Sequence, residues 1–328
     1  MGYAAGRRLE SAVSAESDDP GAAVPIGAVE RDTGLSKDTL RAWERRYGFP
    51  NPVRGTLAER SYPAAQVQKL RLLKSLIDRG HRPGKVVPLL LAQLMELARG
   101  KLSPTDALVG GAEDPRLHEW FEQLRRHDAY ALRRSFGQAL LQMGLQRFVT
   151  EVVAPMNGAV GRAWMTGQIQ VFEEHLYTEC VQTALRQAIG SMPPGAGDAP
   201  RVLLATVPQE PHGLGLLMAE VLFSLEGCVC LSLGVRTPVP DIAQAARAHR
   251  ADLVGLSFTA SLNAVQVQSA LRELRDLLPP ATQLWAGGQC PALYRRPVEG
   301  VLTISDVAQV PIRLREWRAS RQQIDPGH

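Results

Sequence analysis

The sequence predicts a multidomain fold of three parts: an all-α winged helix-turn-helix head, a four-helix bundle cap, and an α/β doubly wound, Rossmann-like domain. Three observations carry that reading. A compact, charge-dense segment, residues 23–95, sets short apolar helical faces against clustered arginines. Residues 115–192 repeat apolar positions at helical spacing, with breaks near Asp128, Met143-Gly144 and Thr166-Gly167, which leaves four segments of bundle size. Past the breaker-rich stretch SMPPGAGDAP, near-continuous apolar runs alternate with helical patterns over residues 198–325, as in a parallel sheet covered on both faces.

The chain has 328 residues, which suits two or three domains. Hydrophobic residues make up 45% and aromatics only 5%, so Leu, Val and Ala must build the cores. The net charge of +4 is mild and matters only where it is local. No run approaches the roughly 18 apolar residues of a membrane span, and the N-terminus lacks a signal-peptide core. The expectation is a soluble cytoplasmic protein with no membrane partner. Residues 1–22, rich in Ala, Ser, Gly and Asp, read as a disordered leader, and residues 96–114 as a linker. Cys180, Cys228, Cys230 and Cys290 lack the paired spacing of a zinc site and read as buried free thiols.

In the head, Ile26 and Val29 set one helical face, Gly34 makes the turn, and Ser36 caps a helix from Lys37 to Tyr47. Its outward side offers Lys37, Arg41, Arg45 and Arg46, cations suited to phosphates and guanine edges in a major groove. Pro50 and Pro52 end this helix, and Arg54 to Tyr62 would form a basic β-wing. A merely solvated helix can carry as many cations, but the string TLRAWERRYGFPNPVR is longer and more specific. It closely resembles the DNA-binding domain of the MerR family. The resemblance implies contacts to a double-stranded DNA operator from Thr39, Arg41, Arg45, Arg46 and Tyr47 in the recognition helix. Arg54, Arg60 and Tyr62 would add contacts from the wing. It also implies a homo-oligomer, dimer or tetramer, on pseudo-palindromic sites. Metal-sensing members carry cysteines after a long dimerisation helix, and that region has none here, which disfavours metal sensing.

The stretch LLATVPQEPHGLGLL places Glu210-Pro211-His212 in the turn between a strand and a helix. In an open parallel sheet, ligands bind at the carboxyl ends of the strands, so His212 lies at the ligand edge. Gly213 and Gly215 let backbone and ligand approach closely. Glu210 can bond one ring nitrogen, fixing the tautomer and raising the basicity of the other, as carboxylates do for metal-ligating histidines. A loop histidine without a role is the ordinary alternative, and two downstream features weigh against it. Ser257-Phe258-Thr259 ends one later strand and Gly287-Gly288 ends the next. With Glu210-Pro211-His212-Gly213-Leu214-Gly215, this resembles the cobalamin-binding fold of methionine synthase and the corrinoid mutases. There the pattern is Asp-x-His-x-x-Gly, Ser-x-Leu, Gly-Gly. The resemblance implies His212 as the lower axial ligand of cobalt. Ser257 and Thr259 would line the slot of the displaced dimethylbenzimidazole tail, with Gly287 and Gly288 leaving it room.

The bundle supplies the remaining motif, GRAWMTGQIQVFEEHLYTECV, with Trp164 ending one helix and Glu174-His175 expected two turns into the next. Core packing for Trp164 and a solvated face for Glu174 are the plain alternatives. The order of head, bundle and cobalamin fold nevertheless resembles the CarH/LitR light-dependent repressors over nearly the whole chain. That resemblance implies adenosylcobalamin as cofactor, with Trp164 covering the adenosyl group and Val171 against it. Glu174 and His175 would contact that group or a neighbouring protomer. The best-known members carry a histidine directly after the tryptophan, which becomes the upper cobalt ligand after photolysis. Here that position is Met165, a softer and weaker donor for cobalt(III), so water, Met165 or a shifted His175 would take the site.

The leading expectation is a light-sensing transcriptional repressor that binds adenosylcobalamin between cap and sheet and DNA as an oligomer in the dark. The alternatives are a cobalamin- or redox-responsive regulator that ignores light, for which Met165 speaks, and a corrinoid methyl-transfer protein, against which the head speaks. No catalytic constellation is visible, so the chain is not expected to be an enzyme. His81, His118, His127 and His249 receive no assignment.

Overall fold

The computed structural model describes residues 24–54, 59–78, 81–99, 115–165, 168–193, 195, 199–260, 262 and 264–324. The leader and residues 100–114 of the expected linker lie outside the described residues. The chain divides into two compact units between Val67 and Gln68.

The head begins with β1 (Val24–Pro25), α1 (Ile26–Thr33) and α2 (Lys37–Tyr47), followed by β2 (Val53–Arg54) and β3 (Arg60–Tyr62). The strands pair antiparallel in the order β1-β3-β2, so the expected wing exists and a short third strand completes it. Gly34 at φ 69° and Gly48 at φ 67° take the left-handed conformation that closes α1 and α2. The α2 helix therefore stops at Gly48, ahead of the prolines expected to end it. Ser36 caps it, accepting from the Thr39 amide at 3.1 Å. Leu40 and Trp43, one turn apart, face inward with Val29, Leu35 and Tyr62.

Three helices follow: α3 (Ala64–Asp78), α4 (Pro83–Val86) and α5 (Leu91–Arg99), the last running four residues into the segment expected as linker. The bundle consists of α6 (Pro115–Arg125), α7 (Ala129–Met143), a long third helix α8 and α9 (Val171–Gly190). α8 joins Leu145–Arg147, a π-helical turn Phe148–Val153, and Ala154–Met165. The π turn buries Phe148, Val149, Val152 and Val153, and it lies in the helix that delivers Trp164.

The α/β domain has five parallel strands, β4 (Arg201–Ala205), β5 (Val229–Gly234), β6 (Leu253–Phe258), β7 (Gln283–Gly288) and β8 (Val301–Ile304), in the order β5-β4-β6-β7-β8. Between them run α10 (Leu214–Leu225), α11 (Val239–Ala248), α12 (Ala264–Leu277) and α13 (Pro291–Arg295), and α14 (Val310–Ile324) closes the chain. β6 is central and buried at every position, which is why it reads as an apolar run interrupted only by Ser257. In β4 the side chains alternate: Val202 and Leu204 join one core, Leu203 and Ala205 the other. The first core also contains the bundle's Phe136, Phe148, Tyr177 and Leu185, so bundle and sheet share one interior. The second core lies under α11 and α12.

Candidate functional site

The order β5-β4-β6 makes the chain leave β4 toward one side and return on the other, so the loops after β4 and β6 part above the sheet. Such a switch point is where open α/β sheets bind ligands. Both loops carry polar groups here. After β4, Thr206 donates its hydroxyl to the Glu210 carbonyl at 2.7 Å and accepts from the Arg236 amide at 2.9 Å. This closes a tight turn that tucks the Glu210 side chain inward, where it has no solvent exposure.

Buried, that carboxylate is fully engaged. Oε1 accepts from the His212 ring at Nδ1, 2.6 Å away, and from the His212 amide at 3.1 Å. Oε2 accepts from the Thr259 amide at 2.7 Å and the Thr259 hydroxyl at 2.8 Å. Burial alone would push the Glu210 carboxyl up, but the bonds from His212 and Thr259 outweigh it and hold the group below its ordinary value. His212 moves the opposite way: the Glu210 bond raises its basicity against the desolvation of the ring, and the charge of Glu174 adds to the rise. With Nδ1 occupied, the ring is 55% exposed and its Nε2 bonds no described residue.

The small residues around this pair are set by close approach. A Cβ on Gly215 would stand 2.5 Å from the Ser257 hydroxyl, and one on Gly213 3.1 Å from Val235. Gly288, at φ 116°, holds the end of β7 where a Cβ would run into the Phe258 carbonyl oxygen. Gly287 is less tight, with the nearest atom, the Ile304 carbonyl, at 3.4 Å. Thr259 is thus an arm of the Glu210–His212 pair, a role the slot-lining expectation did not contain.

On the bundle side, Trp164 is half-buried against the shared core at the end of α8. Met165 follows it as the last helical residue, its side chain and Gly167 lying outside the described residues. Val171 opens α9, and Glu174 accepts from the Thr178 hydroxyl at 2.9 Å and stands 3.6 Å from the exposed His175 ring. Of these residues, Glu174 is the one whose charge raises the basicity of His212.

The head presents Lys37, Arg41, Arg45 and Arg46 exposed on α2. Arg41 pairs with Asp38 at 3.3 Å, Lys37 stands 3.7 Å from Glu30, and the Arg46 guanidinium lies 5.4 Å over the Tyr47 ring. Thr39 shares a 2.8 Å bond with Ser36, so its hydroxyl serves the cap. Wing residues Arg54 and Arg60 reach back to Glu44 of α2 at 3.4 and 3.0 Å, which fixes the wing against the helix. Tyr62 departs from expectation: it has no exposed surface, so its ring is part of the head's core and not of a DNA-facing wing.

Comparison with known proteins follows the same partition. The MerR HTH family regulatory protein profile matches residues 24–93, and two B12 binding domain profiles match 116–189 and 200–307. The HTH-type transcriptional repressor CarH of Myxococcus xanthus is 32% identical over 261 residues, covering 78% of this chain and 85% of CarH. The chain belongs to the CarH family of B12-dependent transcriptional repressors. CarA of the same organism, also an HTH-type transcriptional repressor, is 29% identical over 77% of this chain and 83% of its own. The monomethylamine corrinoid protein of Methanosarcina barkeri shares the fold at 13% identity and TM-score 0.50, covering 61% of this chain and 96% of its own.

As a CarH-family member the protein is a cobalamin-binding, DNA-binding repressor, and CarH and CarA, which match it over more than three quarters of its length, are both HTH-type transcriptional repressors. The site fits the cofactor: an exposed imidazole nitrogen, its partner nitrogen held by a buried carboxylate, is the donor that metal-ligating histidines present. Among the described residues no helix is long and apolar enough to cross a membrane.

Sequence reasoning missed several residues that serve the site. Thr206 shapes the turn, and Tyr294 reaches the carbonyls of Gly288 at 2.5 Å and Ile304 at 2.9 Å, tying the ends of β7 and β8. Asn157 accepts from the Tyr177 hydroxyl at 2.5 Å and turns its amide toward the Met218 sulfur at 3.7 Å, linking α8 and α9 to α10. A hydroxyl directly after an apolar strand signalled Thr206. Nothing local signals Tyr294 or Asn157, whose partners are set by the tertiary fold.

Proposed function

We propose that this repressor senses light. It would bind adenosylcobalamin between bundle and sheet, hold operator DNA as a dimer or tetramer in the dark, and release it on illumination. The domains would run 23–95, 115–192 and 198–325, acting in the cytoplasm. The observation that carries the reading is the His212–Glu210–Thr259 arrangement at the switch point of a sheet that shares one core with the bundle. Adenosylcobalamin supplies a cobalt–carbon bond that light breaks and a bulky upper ligand.

The chain supplies the rest. His212 would hold cobalt from below through Nε2, its tautomer fixed by Glu210, with Ser257 and the Gly287-Gly288 end of β7 beside the tail. Trp164, Val171, Glu174 and His175 would enclose the upper side. A filled and an emptied space beneath Trp164 would favour different settings of α8 and α9, and a bias of a few kcal/mol between them would be enough to shift an assembly equilibrium. Linking several heads raises operator affinity through effective concentration.

The test is the absorbance of the protein titrated with adenosylcobalamin in the dark, beside His212→Ala, then under green light. The expected result is a spectrum altered from the free cofactor that His212→Ala does not reproduce, and an irreversible change on illumination. A bound spectrum that ignores light would favour the light-independent cobalamin or redox regulator, for which Met165 in place of the family's histidine speaks. Failure to bind any corrinoid would overturn the role given to His212.

A further inference from the structure

His127, which carries no role in the reading above, makes a set of contacts unlike those of a solvated histidine. It sits in the turn between α6 and α7 at φ 59°, the left-handed residue that closes α6, with the Asp128 amide donating to the Gln123 carbonyl at 3.0 Å. From there its Nε2 lies 3.0 Å from Glu173 Oε1, and its ring meets the Phe172 ring edge-on at 4.9 Å. Glu173 is itself only 6% exposed, and its other oxygen accepts from the Gln170 amide at 2.6 Å in the capping box that starts α9. Next in sequence, Asp128 caps α7 by accepting from the Ala131 amide at 2.9 Å. One turn of the bundle is therefore fastened at once to the beginnings of α7 and α9.

We propose that His127 is a positioning residue for the upper side of the cofactor site, pinning the first turn of α9 through Glu173. That turn carries Val171, Glu174 and His175, and helix ends fray where nothing holds them. Core packing does not account for the contact, because the His127 side chain is 55% exposed while the carboxylate it reaches is buried. The pin fixes the direction in which Glu174 and Val171 approach the space over the sheet edge, and His127 itself bonds neither Glu210 nor His212. This inference rests on the upper-face assignment made above.

Two measurements on the full chain test it. The first is hydrogen exchange of the cofactor-free protein. His127→Ala should exchange about tenfold faster at the start of α9, the loss of one partly buried charge-assisted bond, with the second half of α9 and strand β6 unchanged. His127→Gly, which relaxes the backbone at this φ, should do the same, and His127→Gln, which keeps an N–H donor, should restore much of the protection. Unchanged exchange in His127→Ala, or faster exchange throughout the bundle, would overturn the pin. The second is titration with adenosylcobalamin and with hydroxocobalamin, which lacks the bulky upper group. His127→Ala should weaken the first about tenfold and the second less than about twofold. Equal weakening of both, or of neither, would overturn the positioning role. If the unaltered protein bound no corrinoid, the upper-face assignment would fall, while the exchange result would still decide whether His127 pins α9.

Discussion

At the end of β4 a carboxylate with no exposure and an imidazole with half its surface exposed share a 2.6 Å bond, and the chemistry of the site follows from that asymmetry. Replacing Glu210 by Gln should lower the His212 basicity toward its ordinary value, measured by NMR titration of the ring, and weaken cobalamin binding about ten- to hundredfold. The same pair gives the cofactor-free protein a pH signature. The Glu210 carboxyl is held low, so its contribution is present above the ordinary 4.5 and lost as pH falls through its folded value. His212 is held high, so its charge-dependent contribution is full below the ordinary 6.5 and lost as pH rises through its folded value. The stability difference between the unaltered protein and Glu210→Gln should therefore peak between about pH 4.5 and 6.5, and a flat difference from pH 4 to 8 would contradict the pairing. Glu210 and His212 were legible because the two lie in one short turn after an apolar run. Tyr62 was misplaced because an aromatic beside arginines looks the same on either face of a three-residue strand.

Among the elements, α2 was the most legible, since Ser36, Gly48 and the Leu40–Trp43 face define its start, end and buried side within one short stretch. Ser36→Ala should destabilise the head by about 1 kcal/mol, read from its denaturant midpoint. Arg45→Ala, on the exposed face, should leave stability unchanged, weaken operator binding about tenfold, and reduce the salt dependence by about one charge. The first four sheet strands were equally legible, because each is a near-continuous apolar run, whereas the edge strand β8, four residues long, was not. β1 was not, being two residues long and a strand only by pairing with β3. The π turn of α8 was not either, since Phe148 to Val153 carries the same apolar pattern as an α-helix, and packing decides which forms.

In the whole molecule the sequence shows three compositional blocks, but it does not show that bundle and sheet close one core, because that depends on which helix face meets α10. Leu185 of α9, with no exposure, belongs to that shared core. Leu185→Ala should cost about 2–5 kcal/mol, and bundle and sheet should melt in one calorimetric transition in both forms. Two separate transitions would show that the core is not shared in the way described. Joining the bundle's α8 and α9 rigidly to the sheet that carries His212 is what would let a change at the cofactor alter assembly. The most direct test is size-exclusion chromatography of the protein loaded with adenosylcobalamin in the dark and again after green light. The light-sensing account predicts a large dark species that breaks down on illumination as the corrin spectrum shifts. A species of the same size in both conditions, with the cofactor bound, would contradict it.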